Sequence, residues 1–316
     1  MKSRSLQSKL FFAYISLACL ILFSFAVFFY AFVSRQLKDS QISAMNTLNS
    51  SFQTQIDSAI RNLDTVSVNI NYSNQSKSIL DQSFGLRISS DMLSDMSDLF
   101  ISLSGTELKA DQVNLYDFSG YVLEAGISTL VKQTDGAKDE WIEAARELEG
   151  KKILTQPYCT KEYSKTAKYD QWFISLYRSF NNQYKRGVGV IETAKQCKSV
   201  FKSIITYEKK NNENAANVYI FDNNGNLIYP YDIDSQEAEK LAPYYQLTQT
   251  ENSALTLTSP LTGKTEYASR TVSTYTGYTY LTILPESVVL APVYDLLRIL
   301  AAIVALFLSV SVLISY

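Results

Sequence analysis

The fold is decided by a short stretch of sequence that the chain contains twice. The second copy is VYIFDNNGNLIYP (Val218–Pro230), in which β-branched and aromatic residues flank a polar turn. Gly225 can adopt the positive φ that such a turn requires, so this stretch predicts a β-hairpin. The first copy is VNLYDFSGYVLEAG (Val113–Gly126), and the two align without a gap, aspartate on aspartate and glycine on glycine. The repeat predicts two similar sheet-forming units.

The composition narrows the classes of protein to which this chain can belong. With 316 residues and a formal net charge of −2, it can bury a sizeable core and has no excess positive charge for nucleic acid. It contains no histidine, which excludes Ser-His-Asp and Cys-His catalysis and histidine-ligated metals. No nucleophile–base pair, carboxylate pair or phosphate loop occurs in the sequence. We therefore expect a non-enzymatic protein without a cofactor.

The cysteines and the polar turns predict no metal site. Cys19 lies in an apolar run, and the spacing of Cys159 and Cys197 fits no metal site. These last two could form a disulfide or remain buried thiols. The turn DNNGN is rich in calcium-binding residue types, but its glycine comes fourth, whereas a calcium loop needs it sixth. We expect a turn there and no metal.

Two uncharged apolar segments bracket the chain. Leu10–Val33 has about 24 residues, enough to cross a hydrocarbon layer of about 30 Å, which favours a transmembrane helix (residues 10–33) over a cleaved signal peptide. The second segment, residues 295–316, contains the apolar run from Ile299 to Tyr316. It predicts a second transmembrane helix. That helix is either a tail anchor or, as we expect, the point at which an intracellular part is missing.

The charges before the first apolar segment predict its orientation. Residues 1–9 carry Lys2, Arg4 and Lys9 and no acid, so we expect them to remain in the cytoplasm. Residues 34 to about 290 would then lie outside the membrane in a two-pass protein. Their mixed charge is typical of a globular region.

A long amphipathic helix is predicted for residues 34–84, in which neither proline nor glycine occurs. Its apolar positions recur every three or four residues, close to a heptad, at Met45, Leu48, Phe52, Ile56, Ala59, Leu63, Val66 and Ile70. Such a stripe can pack on the chain's own domains or on a second copy. We expect both, with the membrane-near part forming a homodimer.

The remaining sequence predicts two α+β units, each a small antiparallel sheet with helices on one side. The first, residues 85–205, contains the Val113 hairpin, a helix around DEWIEAAREL and strands in QWFISLYRSF and GVGVIETA. The second, residues 206–290, contains the Val218 hairpin and strands in TEYASRTVST and YTYLTILPESVV. The shared order of elements indicates duplication of one domain.

This architecture resembles the double-Cache extracytoplasmic sensors of bacterial receptors. The resemblance rests on the membrane helix, the long helix, two hairpins with an aromatic-D-x-x-G turn, and the passage from ILPESVV into a second membrane helix. It is similar in particular to the input region of Gram-positive sensor histidine kinases. Chemoreceptors and cyclic-nucleotide signalling enzymes resemble this input region equally well. The resemblance implies two PAS-like Cache domains in a bacterial plasma membrane protein. It also implies a ligand in the membrane-distal domain and relay through the proximal domain.

Candidate ligand residues are concentrated in PYCTKEYSKTAKYDQWFISLYRSF, after the first helix. Aromatic walls with a few directional polar groups are typical of small-molecule pockets, and arginine suits carboxylates. An exposed loop with structural aromatic residues is the alternative. The predicted ligand-binding residues are Tyr116, Trp141, Tyr158, Tyr163, Tyr169, Asp170, Trp172 and Arg178.

The helix after the first hairpin bears on the kind of ligand. The amino-acid-binding branch of the resembled family carries Arg-x-Trp-Tyr there, and Trp141 matches its tryptophan. Asp139 stands in place of the arginine and Ile142 in place of the tyrosine, which argues against an α-amino acid. We expect a sugar or another polar metabolite as the ligand, and Asp139 would suit a cation or a hydroxyl-rich molecule.

Three classes of function are compatible with these observations. The first is the sensing region of a receptor, in which ligand binding shifts the population of two arrangements. The second is a membrane protein that binds a partner, such as a solute-binding protein, and whose distal pocket is filled by its own side chains. The third is an ectoenzyme, which the lack of a catalytic constellation disfavours.

Overall fold

The computed structural model describes residues 6–315, apart from 75, 78–89, 106–107, 119, 128–129, 164–169, 182–186, 213–215, 248 and 250–253. Its helices are α1 (Leu6–Tyr72), α2 (Ser90–Ser104), α3 (Asp139–Glu147), α4 (Thr160–Tyr163), α5 (Cys197–Val200), α6 (Lys202–Asn211), α7 (Ser235–Leu247) and α8 (Glu286–Ser315). Its strands are β1 (Gln112–Asp117), β2 (Tyr121–Gly126), β3 (Leu130–Gln133), β4 (Lys152–Leu154), β5 (Tyr158–Cys159), β6 (Trp172–Asn181), β7 (Gly187–Gln196), β8 (Asn217–Phe221), β9 (Leu227–Tyr229), β10 (Ala254–Thr258), β11 (Thr265–Val272) and β12 (Thr279–Pro285).

Both copies of the repeated stretch form the predicted hairpin. β1 pairs with β2 and β8 pairs with β9, and the glycines of the two turns adopt φ of 91° and 86°. In each turn the aspartate accepts a backbone N–H, at 2.7 Å for Asp117 and Tyr121 and at 2.8 Å for Asp222 and Asn226. The acidic side chains therefore close the turns. Among the described residues, no group of histidine, cysteine and acidic side chains could hold a metal ion.

The two sheets share one strand order. The larger sheet runs β3-β2-β1-β7-β6-β4, with β5 also paired to β6, and the smaller sheet runs β9-β8-β12-β11-β10. Superposing the hairpins matches every strand of the smaller sheet, in order, with β2, β1, β7, β6 and β4. In each sheet the helix after the hairpin, α3 or α7, packs on one face. The common order supports the predicted duplication.

Helix α1 packs along the opposite face of both sheets. All eight residues of the predicted stripe are buried or half-buried against the chain's own sheets, and Ile56, Leu63 and Val66 are fully buried. Met45, the stripe residue nearest the membrane segment, is only 2% exposed because it packs against Tyr267 and its neighbours. The chain's own smaller sheet therefore covers the stripe residue nearest the apolar segment, and contact of the helix with a second copy stays a prediction. Helix α1 ends at Tyr72, and residues 78–84 of the predicted helix lie outside the described residues.

A polar anchor fixes the register between α1 and the smaller sheet. Asn49 is fully buried, and its Nδ2 donates to the carbonyl oxygen of Ser269 at 2.8 Å and to its Oγ at 2.9 Å. Its Oδ1 accepts a hydrogen bond from Thr282. Because every polar atom of this side chain is paired, sliding α1 along the sheet would break three hydrogen bonds at once.

The ends of the chain are two apolar helices. α1 and α8 each contain a window that is long and apolar enough to cross a membrane by length and composition. β12 ends at Pro285 and α8 begins at Glu286, so no loop separates the smaller sheet from the second apolar helix. Tyr267 on β11 donates to Glu286 at 2.7 Å, which ties the first turn of α8 back to the sheet.

Candidate ligand-binding site

A carboxylate, Glu192, is buried on the face of the larger sheet that α3 covers. Side chains alternate along β7, so Ile191 and Thr193 face α1 while Glu192 faces α3. The strand register places Asn114 of β1 and Tyr177 of β6 directly beside it. A buried charge is costly unless it is paired and hydrogen-bonded, so the surroundings of Glu192 define what this face can do.

Five side chains donate hydrogen bonds to the Glu192 carboxylate. The shortest distances to its two oxygens are 2.8 Å from Lys138 Nζ, 2.8 Å from Asn114 Nδ2, 2.7 Å from Tyr116 OH, 3.0 Å from Tyr158 OH and 2.7 Å from Ser175 Oγ. We call these residues and Glu192 the Glu192 cluster. The cluster gathers β1, β5, β6, β7 and the start of α3 around one charge.

The cluster holds Glu192 in its charged form. Burial alone would raise the pKa of this carboxyl, but the ammonium of Lys138 and the hydrogen bonds from Lys138, Tyr116 and Asn114 outweigh burial and lower the pKa of Glu192 to about 2. Burial and the nearby carboxylate raise the pKa of the Tyr158 phenol well above its usual value, so it remains a proton donor. The Lys138 side chain is 18% exposed, and the ammonium is thus the outward side of this ion pair.

Aromatic rings form the wall beside the ion pair. The Trp141 ring of α3 lies 5.0 Å from the Tyr158 ring and 5.7 Å from the Tyr177 ring, between centroids. Lys138 Nζ lies 5.2 Å from the centre of the Tyr158 ring. The arrangement is an aromatic wall around one buried anion, which can recognise ammonium or hydroxyl groups.

The structure brings three of the eight predicted site residues to this place. Tyr116, Tyr158 and Trp141 converge on Glu192. Asp170 is exposed and pairs with Lys161 at 2.7 Å, which lowers its pKa. Tyr169 and the side chain of Tyr163 lie outside the described residues.

Trp172 and Arg178 point away from the Glu192 cluster and do not share its pocket. They lie on the opposite face of β6, where Arg178 contacts α1 and the Trp172 ring lies 5.9 Å from that of Tyr231 in the loop after β9. Asp139, which we expected to face a ligand, is exposed at the start of α3. The cysteines Cys159 and Cys197 are buried free thiols.

Sequence reasoning missed four members of the Glu192 cluster. Glu192 is the only charged residue in the apolar run GVGVIETA, which is the signal that could have found it. Lys138 directly precedes the predicted helix, one residue before the position assigned to the family arginine. Asn114 and Ser175 give no such signal, because polar residues at those positions are common on half-buried strands.

A second charged group, on α1, joins the two sheets. Asp64 accepts hydrogen bonds from Arg178 of β6, from Lys152 of β4 at 2.7 Å, and from the hydroxyl of Tyr275 at 2.7 Å. Tyr275 lies in the turn between β11 and β12 of the smaller sheet. Lys152 Nζ also lies 3.8 Å from the centre of the Tyr275 ring. We call Asp64, Lys152, Arg178 and Tyr275 the Asp64 junction.

A second carboxylate of α1, Asp57, also holds the β11–β12 turn, about two helical turns before Asp64. Asp57 accepts hydrogen bonds from Ser273 Oγ at 2.7 Å and from Thr276 Oγ1 at 3.1 Å. Asp57 and Asp64 are seven residues apart and so face the same side of the helix. β4 and β6 of the larger sheet are therefore connected to the β11–β12 turn of the smaller sheet through the Asp64 carboxylate of α1.

Comparison with known proteins identifies the fold. No protein-family model matches the sequence, and no curated protein matches it. The sensory domain of the Campylobacter jejuni chemoreceptor Tlp3 with isoleucine bound has a TM-score of 0.54 and 14% identity, covering 82% of this chain and 98% of that one. The fold is that of a sensory domain.

Two further sensory domains share this fold. The ligand-binding domain of the Pseudomonas aeruginosa amino acid chemoreceptor PctC, in complex with GABA, has a TM-score of 0.51 and 10% identity, covering 78% of this chain and 99% of that one. The extracellular domain of rpHK1S-Z16, a protein assigned as a histidine kinase, has a TM-score of 0.55 and 14% identity, covering 80% and 97%. Sensory domains of both receptor classes thus have this architecture.

Proposed function

We propose that this chain is the extracytoplasmic sensing region of a bacterial transmembrane receptor, with Cache domains at residues 85–205 and 206–290. The sensory-domain fold supports this function, as does the position of the folded region between two apolar helices. The positive N-terminal flank supports a cytoplasmic N-terminus in the plasma membrane. We propose a histidine kinase as the output module and a chemoreceptor as the alternative, because sensory domains of both classes share the fold.

The Glu192 cluster is the proposed ligand site, and its arrangement is the main observation that supports this function. A small polar ligand would enter between α3 and the sheet and displace Lys138, so that its ammonium or hydroxyl groups take the place of the lysine at Glu192. The ring of Trp141 would then cover the ligand. The similar sensory domains of Tlp3 and PctC were solved with isoleucine and with GABA, which are small molecules with an amino group. Sugars and polyols remain in the proposed class because hydroxyl groups can also donate to Glu192.

The signal would pass from the larger sheet to α8 through the Asp64 junction. Displacing Lys138 would move α3 and β6, and Arg178 of β6 holds Asp64 on α1. Asp64 holds Tyr275, and β12 after that turn leads directly into α8. A ligand must prefer one arrangement by about 5.5 kcal/mol to move an equilibrium from 1:99 to 99:1.

Thermal unfolding of the full chain in detergent tests the ligand site, against sugars, polyols, amines, amino acids and carboxylates. A ligand at a hundredfold excess over its Kd stabilises the folded state by about 2.7 kcal/mol. We expect the stabilising ligand to lose its effect in Tyr158→Phe and Glu192→Gln. It should keep the effect in Tyr121→Phe, a matched control at a 41% exposed tyrosine of the same sheet. A ligand that stabilises all four proteins equally would place the site elsewhere.

A partner-binding protein without a small ligand is the second candidate function. It is favoured by the closure of the Glu192 cluster, in which the side chain of Glu192 is 0% exposed and is saturated by internal donors. A solute-binding protein would then carry the signal. If the protein unfolds cooperatively and no compound of the panel raises its unfolding temperature, this candidate is supported over the first.

We also propose that the receptor is a homodimer. Because the apolar stripe of α1 packs on the chain's own sheets, the contact would use the outer side of α1, where Thr54, Ser58 and Thr65 are exposed. Oxidation of Ser58→Cys in membranes should then give a cross-linked dimer. Asp98→Cys on the exposed side of α2 is the control, and equal cross-linking of both variants would contradict a contact through α1.

A further inference from the structure

A cavity of about 650 Å³ lies beside the smaller sheet, between α6, α7 and the hairpin of β8 and β9. Small-molecule pockets typically enclose roughly 300–1,000 Å³. Three tyrosines line this cavity, Tyr219, Tyr229 and Tyr231, together with Glu208 of α6. We call it the Glu208 cavity. It has the size and the aromatic lining of a ligand site, and it is distinct from the Glu192 cluster.

The lining of the Glu208 cavity is unbalanced in charge. Asp232, Glu237 and Lys240 are exposed lining residues, so three carboxylates face one ammonium. Within the part of the chain that the structure describes, no lysine or arginine forms an ion pair with Glu208 or Asp232. Tyr229 OH donates to Glu208 at 2.6 Å. Burial, and beyond it the charge of Asp232, raises the pKa of Glu208.

The contrast with Glu192 indicates what this cavity can bind. Glu192 lies on β7 and Glu208 on α6, and both accept a tyrosine hydroxyl. The ammonium of Lys138 neutralises Glu192 from within the protein, whereas Glu208 lines an open cavity and has no such partner among the described residues. A ligand that brings its own ammonium would supply the missing charge.

We propose that the Glu208 cavity is a second binding site, specific for a small organic amine. Its ammonium would donate to the Glu208 carboxylate, and the tyrosine ring faces would contact its cationic end and its methylene groups. A bare metal ion would leave most of the volume empty. A neutral polyol would leave the carboxylate charge uncompensated.

An amine in this cavity would contact the aromatic stack that joins the two sheets. The Tyr231 ring lies 5.7 Å from that of Phe201, which precedes α6, and 5.9 Å from that of Trp172 at the start of β6. The second site is therefore placed to modulate the relay, and its existence does not depend on a ligand at Glu192.

Calorimetric titration of the full chain in detergent with putrescine tests the proposal, with 1,4-butanediol as the neutral counterpart. We expect saturable binding of putrescine and none of the diol. Glu208→Gln should weaken putrescine binding at least about tenfold, because a charge-assisted hydrogen bond becomes a neutral one. The amide oxygen of Gln can still accept from Tyr229, so this variant keeps the internal hydrogen bond.

Two further variants make the result specific. Asp232→Asn, at an exposed position, should also weaken binding and serves if Glu208→Gln does not fold. Glu239→Gln, on the exposed side of α7 and outside the cavity lining, should bind like the unaltered protein. Equal binding by Glu208→Gln or equal binding of the diol would overturn the proposal.

Discussion

At the scale of single residues, the charge of Glu192 is stabilised by an ion pair and hydrogen bonds and not by exposure to water. Glu192 has no exposed surface, yet its pKa is lowered to about 2 because an ammonium and four neutral donors face it. The folded protein thus holds this group ionised more strongly than the unfolded chain does. Stability must then depend on pH in the range where only the unfolded chain takes up a proton.

Acid should destabilise the protein through Glu192. Its pKa lies near 4.5 in the unfolded chain and near 2 in the folded state, so its contribution is fully present above pH 4.5 and is lost as the pH falls from 4.5 to 2. The loss amounts to about 3 kcal/mol. Urea unfolding between pH 5 and 2 should show a shallower dependence in Glu192→Gln. Glu143→Gln, at a 62% exposed position, should retain the unaltered slope.

Removing Lys138 should be far more harmful than removing an exposed lysine. Lys138→Met leaves Glu192 buried with its charge uncompensated, which costs roughly 3–5 kcal/mol. Lys132→Met breaks a pair with Glu124 in which the lysine is 42% exposed, and such pairs are worth roughly 0–1 kcal/mol. The double variant Lys138→Met, Glu192→Gln should recover much of the loss. Equal unfolding free energies for the two lysine variants would show that Lys138 contributes no more to stability than the exposed Lys132.

The residues of the site were only partly predictable, and β6 shows the reason. Side chains along WFISLYRSF point alternately to the two faces of the sheet, but both faces of β6 are buried, one by α1 and one by α3. The sequence of β6 therefore lacks the contrast between polar and apolar residues that identifies a buried face. The sequence therefore does not show that Arg178 faces α1, on the side of β6 opposite to the Glu192 cluster. The bond from Asn114 to Glu192 joins positions 78 apart, and only the order of the strands reveals it.

At the scale of elements, the Asp64 junction is where the two sheets meet through α1. Its side chains are partly buried, at 22% exposure for Asp64 and 13% for Arg178. Burial raises the pKa of Asp64, but the hydrogen bonds from Lys152 and Tyr275 and both cationic charges outweigh it, so the pKa of this carboxyl is lowered. The junction therefore stays charged at neutral pH.

Loss of the Asp64 carboxylate should loosen the smaller sheet from the larger one. Asp64→Ala removes the carboxylate that Arg178 and Lys152 share, which costs roughly 1–3 kcal/mol, although Arg178 keeps its hydrogen bonds to Ser67 and to the carbonyl oxygen of Gly150. Hydrogen exchange should quicken in the β11–β12 turn around Tyr275 more than in the Val218 hairpin. Asp98→Ala, on an exposed side of α2, is the control. If the rate of hydrogen exchange in that turn is unchanged in Asp64→Ala, the Asp64 junction does not couple the two sheets.

The elements themselves were well predicted. Both hairpins and the helix DEWIEAAREL occur where the sequence places them, and the predicted long helix (residues 34–84) forms part of α1 up to Tyr72. Turn glycines and helical periodicity are local signals, which is why these elements were predictable. The partner of the long apolar stripe was not predictable, since the same heptad-like spacing serves a sheet face or a second helix. The structure assigns the stripe to the two sheets.

At the scale of the whole molecule, β12 continues without a loop into α8, which contains the second apolar segment. Val289 lies in the first turn of α8 and is 3% exposed. In a chimera with a kinase or chemoreceptor output module, four Gly/Ser residues inserted after Val289 should abolish ligand-dependent output, because the helix would be broken between sheet and membrane. The same insertion after Thr262, in an exposed turn, should preserve it. Unchanged output after the first insertion would contradict rigid coupling.

Because helix α1 is uninterrupted, its rise per residue also gives the distance of each sheet from Val33, measured along the helix. At about 1.5 Å per residue, the contact between Leu63 and the larger sheet stands about 45 Å beyond Val33, and the Asn49 anchor of the smaller sheet about 24 Å. Both distances exceed the screening length of about 8 Å at physiological salt. With the membrane edge placed at Val33, we expect the charge of the lipid headgroups to be screened at both heights. The affinity of the proposed sites should then be the same over an anionic bilayer as over a neutral one.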